Sequence, residues 1–100
     1  MERTALAFDR YFRVAMETDE AQAAEMTVDP GRTVGGPDNS HADSDQWLFV
    51  VGGTGVATVD GDDVRLHEGD LLRIEAGERH AITNDGDAPL KTVNFYTPPR

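Results

Sequence analysis

Cysteine is absent from this 100-residue chain, which excludes disulfide bonds, thiolate metal ligands and thiol nucleophiles. Lysine is almost as scarce, because Lys91 is the only lysine among nine basic residues, against 19 acidic ones. The resulting net charge of −10 repels phosphate backbones and anionic lipid surfaces. We therefore expect this acidic protein to have no nucleic-acid partner and no membrane partner.

Long apolar runs and long helical periodicity are also missing. No segment approaches the length that spans a bilayer, and residues 1–7 lack the basic and apolar regions of a signal peptide. These features predict a soluble, cytoplasmic protein. One hundred residues suffice for a single domain with a modest core, and association into a homodimer is a usual remedy for a small core.

Short runs of β-branched and aromatic residues alternate with Gly, Asp, Asn and Pro turn signals, with strands roughly every 8 to 12 residues. This pattern predicts an all-β fold, a small antiparallel β-barrel of one domain. Asp60-Gly61 predicts a hairpin, and residues 84–87 carry a second hairpin signal. Residues 1–9 are either a short helix or an unpaired arm. The predicted strands are 11–16, 24–28, 47–51, 56–59, 64–66, 71–74, 80–83 and 90–96.

Any chemistry would involve the three histidines, His41, His67 and His80. A lone histidine is more often a surface or satisfied core residue than a ligand, and we interpret His67, in a polar turn, in that way. His41 follows the loop at 35–40, and His80 follows a tight turn at the head of a strand. Their positions within two longer motifs make these two the candidates for a site.

The stretch from residue 69 to residue 84 resembles the second motif of the cupin family. That motif consists of Gly, five residues, Pro-x-Gly, two residues, His, three residues and Asn. Here Gly69, Gly77, His80 and Asn84 keep every spacing, with Glu75 in the place of the proline. Four motif residues in register are hard to obtain by accident, so the resemblance is specific for the fold.

The first cupin motif keeps its outline but not its ligands. It consists of Gly, five residues, His-x-His, three or four residues, Glu, six residues and Gly. Counting back from Gly53 places Gln46 at the glutamate, His41 at the second histidine and Asn39 at the first. An alternative register makes His41 the first histidine and Asp43 the second, but its interval to Gln46 is one residue short.

The resemblance covers about residues 24–96 and implies a jelly-roll barrel with a site in its open mouth. It also implies a shell of three imidazoles and one carboxylate, which suits divalent Fe, Mn, Ni or Zn. The corresponding residues here are Asn39, His41, Gln46 and His80. Two neutral amides weaken such a shell, although Asp43 or Asp45 nearby could strengthen it. The sequence leaves open either a bound divalent metal or an empty or water-filled polar pocket.

Alternation along the strands predicts which side chains face the interior. If Gln46 and His80 point inward, so do Leu48, Val50 and Ile82, which belong to the core or to the wall of a small-molecule pocket. The large side chains of the other face, Trp47 and Phe49, then need a dimer partner or a covering strand.

Two functions of different class follow from the resemblance. The first is a barrel that binds a small-molecule ligand and carries a degenerate metal site. The second is a metal-dependent cupin enzyme of dioxygenase, isomerase or decarboxylase type, in which Asp43 is the nearby candidate for a general base. The missing carboxylate at Gln46 favours the binding function.

Overall fold

The computed structural model describes residues 1–36 and 42–100. Two of the four predicted ligands, Asn39 and His41, lie outside these residues. Every helix or strand in the described part is a β-strand, which confirms the all-β prediction. Nowhere in the two described ranges is there a helix long and apolar enough to cross a membrane.

Nine strands form the regular structure of the described chain, and eight of them match the predicted strands to within two residues at each end. The short third strand escapes prediction because three residues carry no recognisable alternating pattern. The strands are β1 (Phe12–Glu17), β2 (Gln22–Val28), β3 (Thr33–Gly35), β4 (Asp45–Gly52), β5 (Gly55–Val59), β6 (Asp62–Leu66), β7 (Leu71–Ile74), β8 (His80–Thr83) and β9 (Leu90–Thr97).

The strands form two antiparallel sheets, ordered β1-β2-β9-β4-β7 and β3-β8-β5-β6. Alternate residues of both sheets face the space between them, as the pleat of a strand requires. The predicted inward placement of Leu48, Val50 and Ile82 is confirmed, since all three are buried. The buried apolar cluster comprises Met26, Val28, Leu48, Val50, Ala57, Leu66, Ile82 and Leu90.

The two hairpin signals have different outcomes. Asp60 and Gly61 join β5 to β6 with φ values of 46° and 87°, as predicted. The signal at residues 84–87 proves wrong for a hairpin, because β8 and β9 lie in different sheets. The side-chain amide of Asn84 donates to the carbonyl oxygens of Val28 and Ala88. Asn84 therefore anchors the crossing between sheets instead of a hairpin turn.

The glycine-rich stretch 52–55 lets the chain pass from β4 in one sheet to β5 in the other. A Cβ on Gly53 would lie 2.3 Å from the carbonyl oxygen of Pro89, and the φ of Gly53 is +83°. A Cβ on Gly55 would lie 2.6 Å from the carbonyl oxygen of Thr83. These two positions need glycine because a side chain there would collide with the backbone of a neighbouring segment.

A buried carboxylate ties the N-terminal residues to the outer face of the five-stranded sheet. The side chain of Glu25 on β2 is fully buried. It accepts hydrogen bonds from the Arg13 guanidinium at 2.8 Å and from the Ala7 amide at 2.9 Å. Arg13 also donates to the carbonyl oxygen of Ala5. Residues 1–9 contain neither helix nor strand and form an arm that covers Glu25.

The Glu25→Gln variant should lose stability, by about 1–3 kcal/mol at neutral pH, because the half-buried guanidinium of Arg13 loses its buried carboxylate partner. The hydrogen bond from Arg13 holds the pKa of Glu25 below its ordinary value. The stabilisation is therefore fully present above the ordinary carboxyl range and is lost as the pH falls through the lowered pKa. Chemical denaturation at several pH values would measure the difference, which should shrink in acid. The exposed Glu20→Gln control should change the free energy of unfolding little. A difference in stability between Glu25→Gln and the unmodified protein that is equal at all pH values would contradict the role of the ion pair.

Candidate binding site at the barrel mouth

Polar side chains replace apolar ones at one end of the barrel, which we call the mouth. In the five-stranded sheet, Gln22 and Gln46 lie on either side of Tyr96, and all three residues are buried. His80, also buried, enters from the opposite sheet at the head of β8. Gln46, Tyr96 and His80 line one cavity of about 100 Å³. The fold thus brings together two of the predicted site residues.

A chain of hydrogen bonds inside the barrel fixes the amide of Gln46. Its Nε2 donates to Oδ1 of Asn94 at 3.0 Å, and Nδ2 of Asn94 donates to Oγ1 of Thr92 at 3.0 Å. Within the described ranges, Oε1 of Gln46 has no hydrogen-bond partner. An unsatisfied buried acceptor costs about 1–3 kcal/mol, so this oxygen lowers the stability of the fold.

His80 is positioned by the tight turn that precedes it. In that turn Gly77 has a φ of +85°, and the Glu78 amide donates to the carbonyl oxygen of Glu75. Nδ1 of His80 lies 3.2 Å from the carbonyl oxygen of Glu78. A carbonyl oxygen only accepts, so Nδ1 carries a proton in this contact. Nε2 is then the nitrogen without a proton in the neutral ring.

The two acidic residues suggested as supporting groups do not enter the cavity lining. On β4, Asp45 accepts hydrogen bonds from the Arg73 guanidinium at 2.9 Å and from the Ala76 amide at 2.9 Å. The bond from Arg73, followed by that from Ala76, lowers the pKa of the Asp45 carboxyl. Asp45 thus links β4 to the end of β7 on the outside of the barrel, and Asp43 is exposed in the turn before β4.

Aromatic rings and one guanidinium line the outer part of the cavity. The Cζ atom of Arg100 lies 4.5 Å from the ring centroid of Phe12 and 4.8 Å from that of Tyr96. Burial raises the pKa of the Tyr96 phenol, and the positive charge of Arg100 opposes this effect. Contact with two aromatic rings restricts the guanidinium of Arg100.

Sequence reasoning does not identify Asn94, Tyr96 or Arg100 as members of the site. Alternation along the strand could have identified Asn94 and Tyr96, since the inward positions of β9 are Leu90, Thr92, Asn94 and Tyr96. Polar residues at alternate positions of a buried strand indicate a polar interior. Arg100 carries no such signal, because it follows β9 and only the fold places it at the cavity.

Two antiparallel sheets that enclose one core, with a histidine and amides at one end, define the class of small jelly-roll barrels. Within that class, the family model described as the Cupin domain matches residues 24–96. The match covers well over half of the chain, and the chain belongs to the cupin family.

Individual relatives agree with this assignment. The chain is 35% identical over 69 residues to the tetracenomycin polyketide synthase protein TcmJ of Streptomyces glaucescens, a match that covers 69% of this chain and 45% of TcmJ. It is 31% identical over 77 residues to the oxalate-binding protein of Thermotoga maritima, covering 77% of this chain and 62% of that protein. The chain thus spans less than two thirds of the length of these two curated relatives.

The fold of a predicted oxalate decarboxylase from Thermotoga maritima is also similar. Its crystal structure matches with a TM-score of 0.80 and 25% identity, covering 88% of this chain and 79% of that chain.

The two candidate ligands within the described residues, Gln46 and His80, are a weaker donor set than the corresponding half of the shell that the family resemblance implies. Over residues 1–36 and 42–100, no group of three or more His, Cys, Asp and Glu side chains could hold a metal ion. Gln46 offers a neutral amide oxygen in the place of a carboxylate, beside the imidazole of His80. Such a pair is a weak donor set for a divalent ion, because no formal negative charge offsets the metal.

The Asn94→Leu variant should lower the free energy of unfolding by about 1–3 kcal/mol, because it leaves the amide nitrogen of Gln46 and the hydroxyl of Thr92 without a partner. The triple variant Gln46→Met/Thr92→Val/Asn94→Leu should recover most of that loss, since all the buried polar partners are removed together. Chemical denaturation would measure both. A triple variant less stable than the single variant would show that the network serves folding and not the site.

Proposed function

We propose that this chain is a small-molecule-binding cupin barrel whose ligand occupies the mouth between Gln46 and His80. The observation that carries the proposal is the cavity at the mouth, which the buried residues Gln46 and His80 line together. Its apolar wall includes Met26 and Ile82. A concave, mostly apolar cavity with a few fixed polar groups is typical of small-molecule sites.

We further propose that the same mouth is a weakened site for a divalent ion such as Fe, Mn, Ni or Zn. The proposed ligands are His41, Gln46, His80 and Asn39, of which the first and last come from the family motif alone. The support is that Gln46 occupies the place of the family's glutamate and faces the cavity beside His80. The replacement of a carboxylate by an amide favours weak or transient metal binding.

The alternative is a metal-dependent cupin enzyme acting on a small organic substrate. The similar structure from Thermotoga maritima is named as a predicted oxalate decarboxylase, and this name favours the alternative. The curated relative named as an oxalate-binding protein favours a binding function instead. The exposure of Asp43, the candidate base, and the neutral amide at Gln46 both favour binding over catalysis.

The Gln46→Glu variant should gain affinity for Mn, Fe, Ni or Zn by about tenfold or more, because a carboxylate adds a negative charge next to His80. Calorimetric titration of each ion, with elemental analysis of the desalted protein, would measure the gain. The Gln46→Glu/His80→Ala variant is the matched control and should not show this gain in metal affinity. Equal affinity of Gln46→Glu and the unmodified protein would refute the proposed metal site.

We also propose that a second copy of the chain covers the outer face of the five-stranded sheet. Four large side chains there are each more than a third exposed: Trp47, Phe49, Leu71 and Phe95. They are neighbours in register, Trp47 beside Phe95 and Phe49 beside Leu71. An apolar patch of this kind is unusual on a monomer, and a flat sheet face suits a two-fold interface in which the same patch meets itself.

The Phe49→Arg variant should convert a homodimer into a monomer, because a charge would be buried without a partner at the centre of the interface. Sedimentation velocity over a range of protein concentrations would measure the change. Val64→Arg is the control, since Val64 is similarly exposed but lies on β6 in the other sheet. A wild-type protein that sediments as a monomer at all concentrations would overturn the proposal.

A further inference from the structure

We propose that the mouth holds only the polar end of its ligand, and that the rest of the ligand is a flat aromatic ring that lies on Tyr11, in a groove between the start of β1 and β3. This ligand class rests on the proposed binding function and adds the position and chemistry of the larger part of the ligand. It requires no metal ion.

The mouth cavity is small for an organic ligand. Its volume is about 100 Å³, whereas small-molecule sites usually enclose roughly 300–1,000 Å³. The mouth alone is therefore too small for a ligand of ordinary size, and such a ligand must extend beyond it.

A larger cavity, which we call the groove, adjoins the mouth. Its volume is about 420 Å³. Its lining includes Tyr11, just before β1, with Thr27 and Val28 of β2 and Thr33 and Val34 of β3. Tyr11 and Val34 line the mouth as well. The two cavities therefore meet at these two side chains.

Strand pairing does not join the two sheets on this side of the barrel. β1 is an edge strand of the five-stranded sheet, and β3 is an edge strand of the four-stranded sheet. Over residues 1–36 and 42–100, β1 pairs only with β2, and β3 pairs only with β8. Tyr11 is 58% exposed, and exposed side chains change rotamer within nanoseconds. A ligand can therefore extend from the groove into the mouth without breaking a strand pair.

The apolar part of the groove suits a flat ring. Tyr11 presents a largely exposed aromatic ring, and Val28 and Val34 add aliphatic side chains to the same cavity. The ring of Phe12 is tilted by 45° to that of Tyr11, with the centroids 6.2 Å apart, so the two rings are not stacked face to face. An aromatic ligand gains stacking energy on such a ring in addition to the burial of its area.

The polar groups of the groove do not favour a charged ligand there. The hydroxyl of Thr27 donates to a carbonyl oxygen of the arm, and the hydroxyl of Thr33 is hydrogen-bonded to a threonine hydroxyl of β8. Asp29 and Arg32 add one negative and one positive charge to the lining. The part of the ligand that lies in the groove is therefore uncharged.

The mouth, in contrast, is lined by the polar residues Gln46, His80 and Tyr96. A third cavity, of about 430 Å³, lies on the other side of His80 and is lined in part by Thr58 and Gly61. Among the described residues it shares His80 alone with the mouth, and His80 is 5% exposed and forms a wall there. The groove is therefore the better continuation of the mouth, with the ring in the groove and the polar substituent in the mouth.

Benzyl alcohol, cyclohexylmethanol and toluene are suitable probes. The first two share a hydroxymethyl group and differ in the flatness of the ring, whereas benzyl alcohol and toluene share the ring and differ in the polar group. Titrations of the full chain would be followed by amide shifts in ¹H–¹⁵N NMR spectra. Benzyl alcohol should shift the amides of both groove and mouth and bind about fivefold more tightly than cyclohexylmethanol. Toluene should shift the amides of the groove alone.

Variants at Tyr11 test the ring contact. Tyr11→Ala should weaken benzyl alcohol about tenfold and abolish its preference over cyclohexylmethanol, whereas Tyr11→Phe keeps the ring and should retain both. Val64→Ala is the control, because Val64 is an exposed apolar side chain on β6, outside the lining of the groove and the mouth. Thermal unfolding of each variant would show whether it is folded.

The outcomes separate this ligand class from the binding function on which it rests. If benzyl alcohol shifts the amides of the mouth but not those of Thr27, Thr33 and Val34, or shifts those of Thr58 and Gly61 instead, the binding function stands and the groove is wrong. If Tyr11→Ala binds benzyl alcohol as well as the unmodified protein does, the role of Tyr11 is wrong. If no small molecule shifts the mouth or the groove, with or without added metal, both proposals fail.

Discussion

Strand β9 is the element on which the rest of the structure depends, because it is hydrogen-bonded along both edges, to β2 and to β4. Along its inward face the side chains change from Leu90 through Thr92 and Asn94 to Tyr96. The barrel is therefore apolar at its closed end and polar at its mouth. A central strand cannot shift register without moving its two neighbours, so this gradient fixes Gln46 and Gln22 beside Tyr96.

The polar side chains at the mouth lower the stability of the barrel. Oε1 of both Gln22 and Gln46 is buried without a hydrogen-bond partner among the described residues, whereas most buried polar groups of folded proteins are satisfied. Apolar residues at these positions would complete the core. Buried amides at these positions break the apolar pattern of the core, a departure that occurs most often at functional sites. The neutral amide of Gln46 is also a weaker metal ligand than the carboxylate of the family motif.

Charge is arranged differently on the outside of the barrel and at its mouth. Asp45 and Glu25 border the apolar outer face, and each is paired with an arginine. These pairs neutralise charge around a surface suited to a second copy. Arg100 has no such partner among the described residues, and its aromatic neighbours fix its position without neutralising it.

The sequence by itself determined the fold class, most strand positions, the hairpin at Asp60-Gly61 and the family. It could do so because alternation, turn residues and motif spacing are local properties of the chain. It also predicted Gln46 and His80 as members of one site, and both residues line the same cavity. Tertiary structure alone decided that residues 84–87 cross between sheets, since the same turn residues serve a hairpin or a crossing. It also decided that Asn94, Tyr96 and Arg100 join the mouth, because strand pairing and ring stacking bring together residues whose proximity no local pattern records.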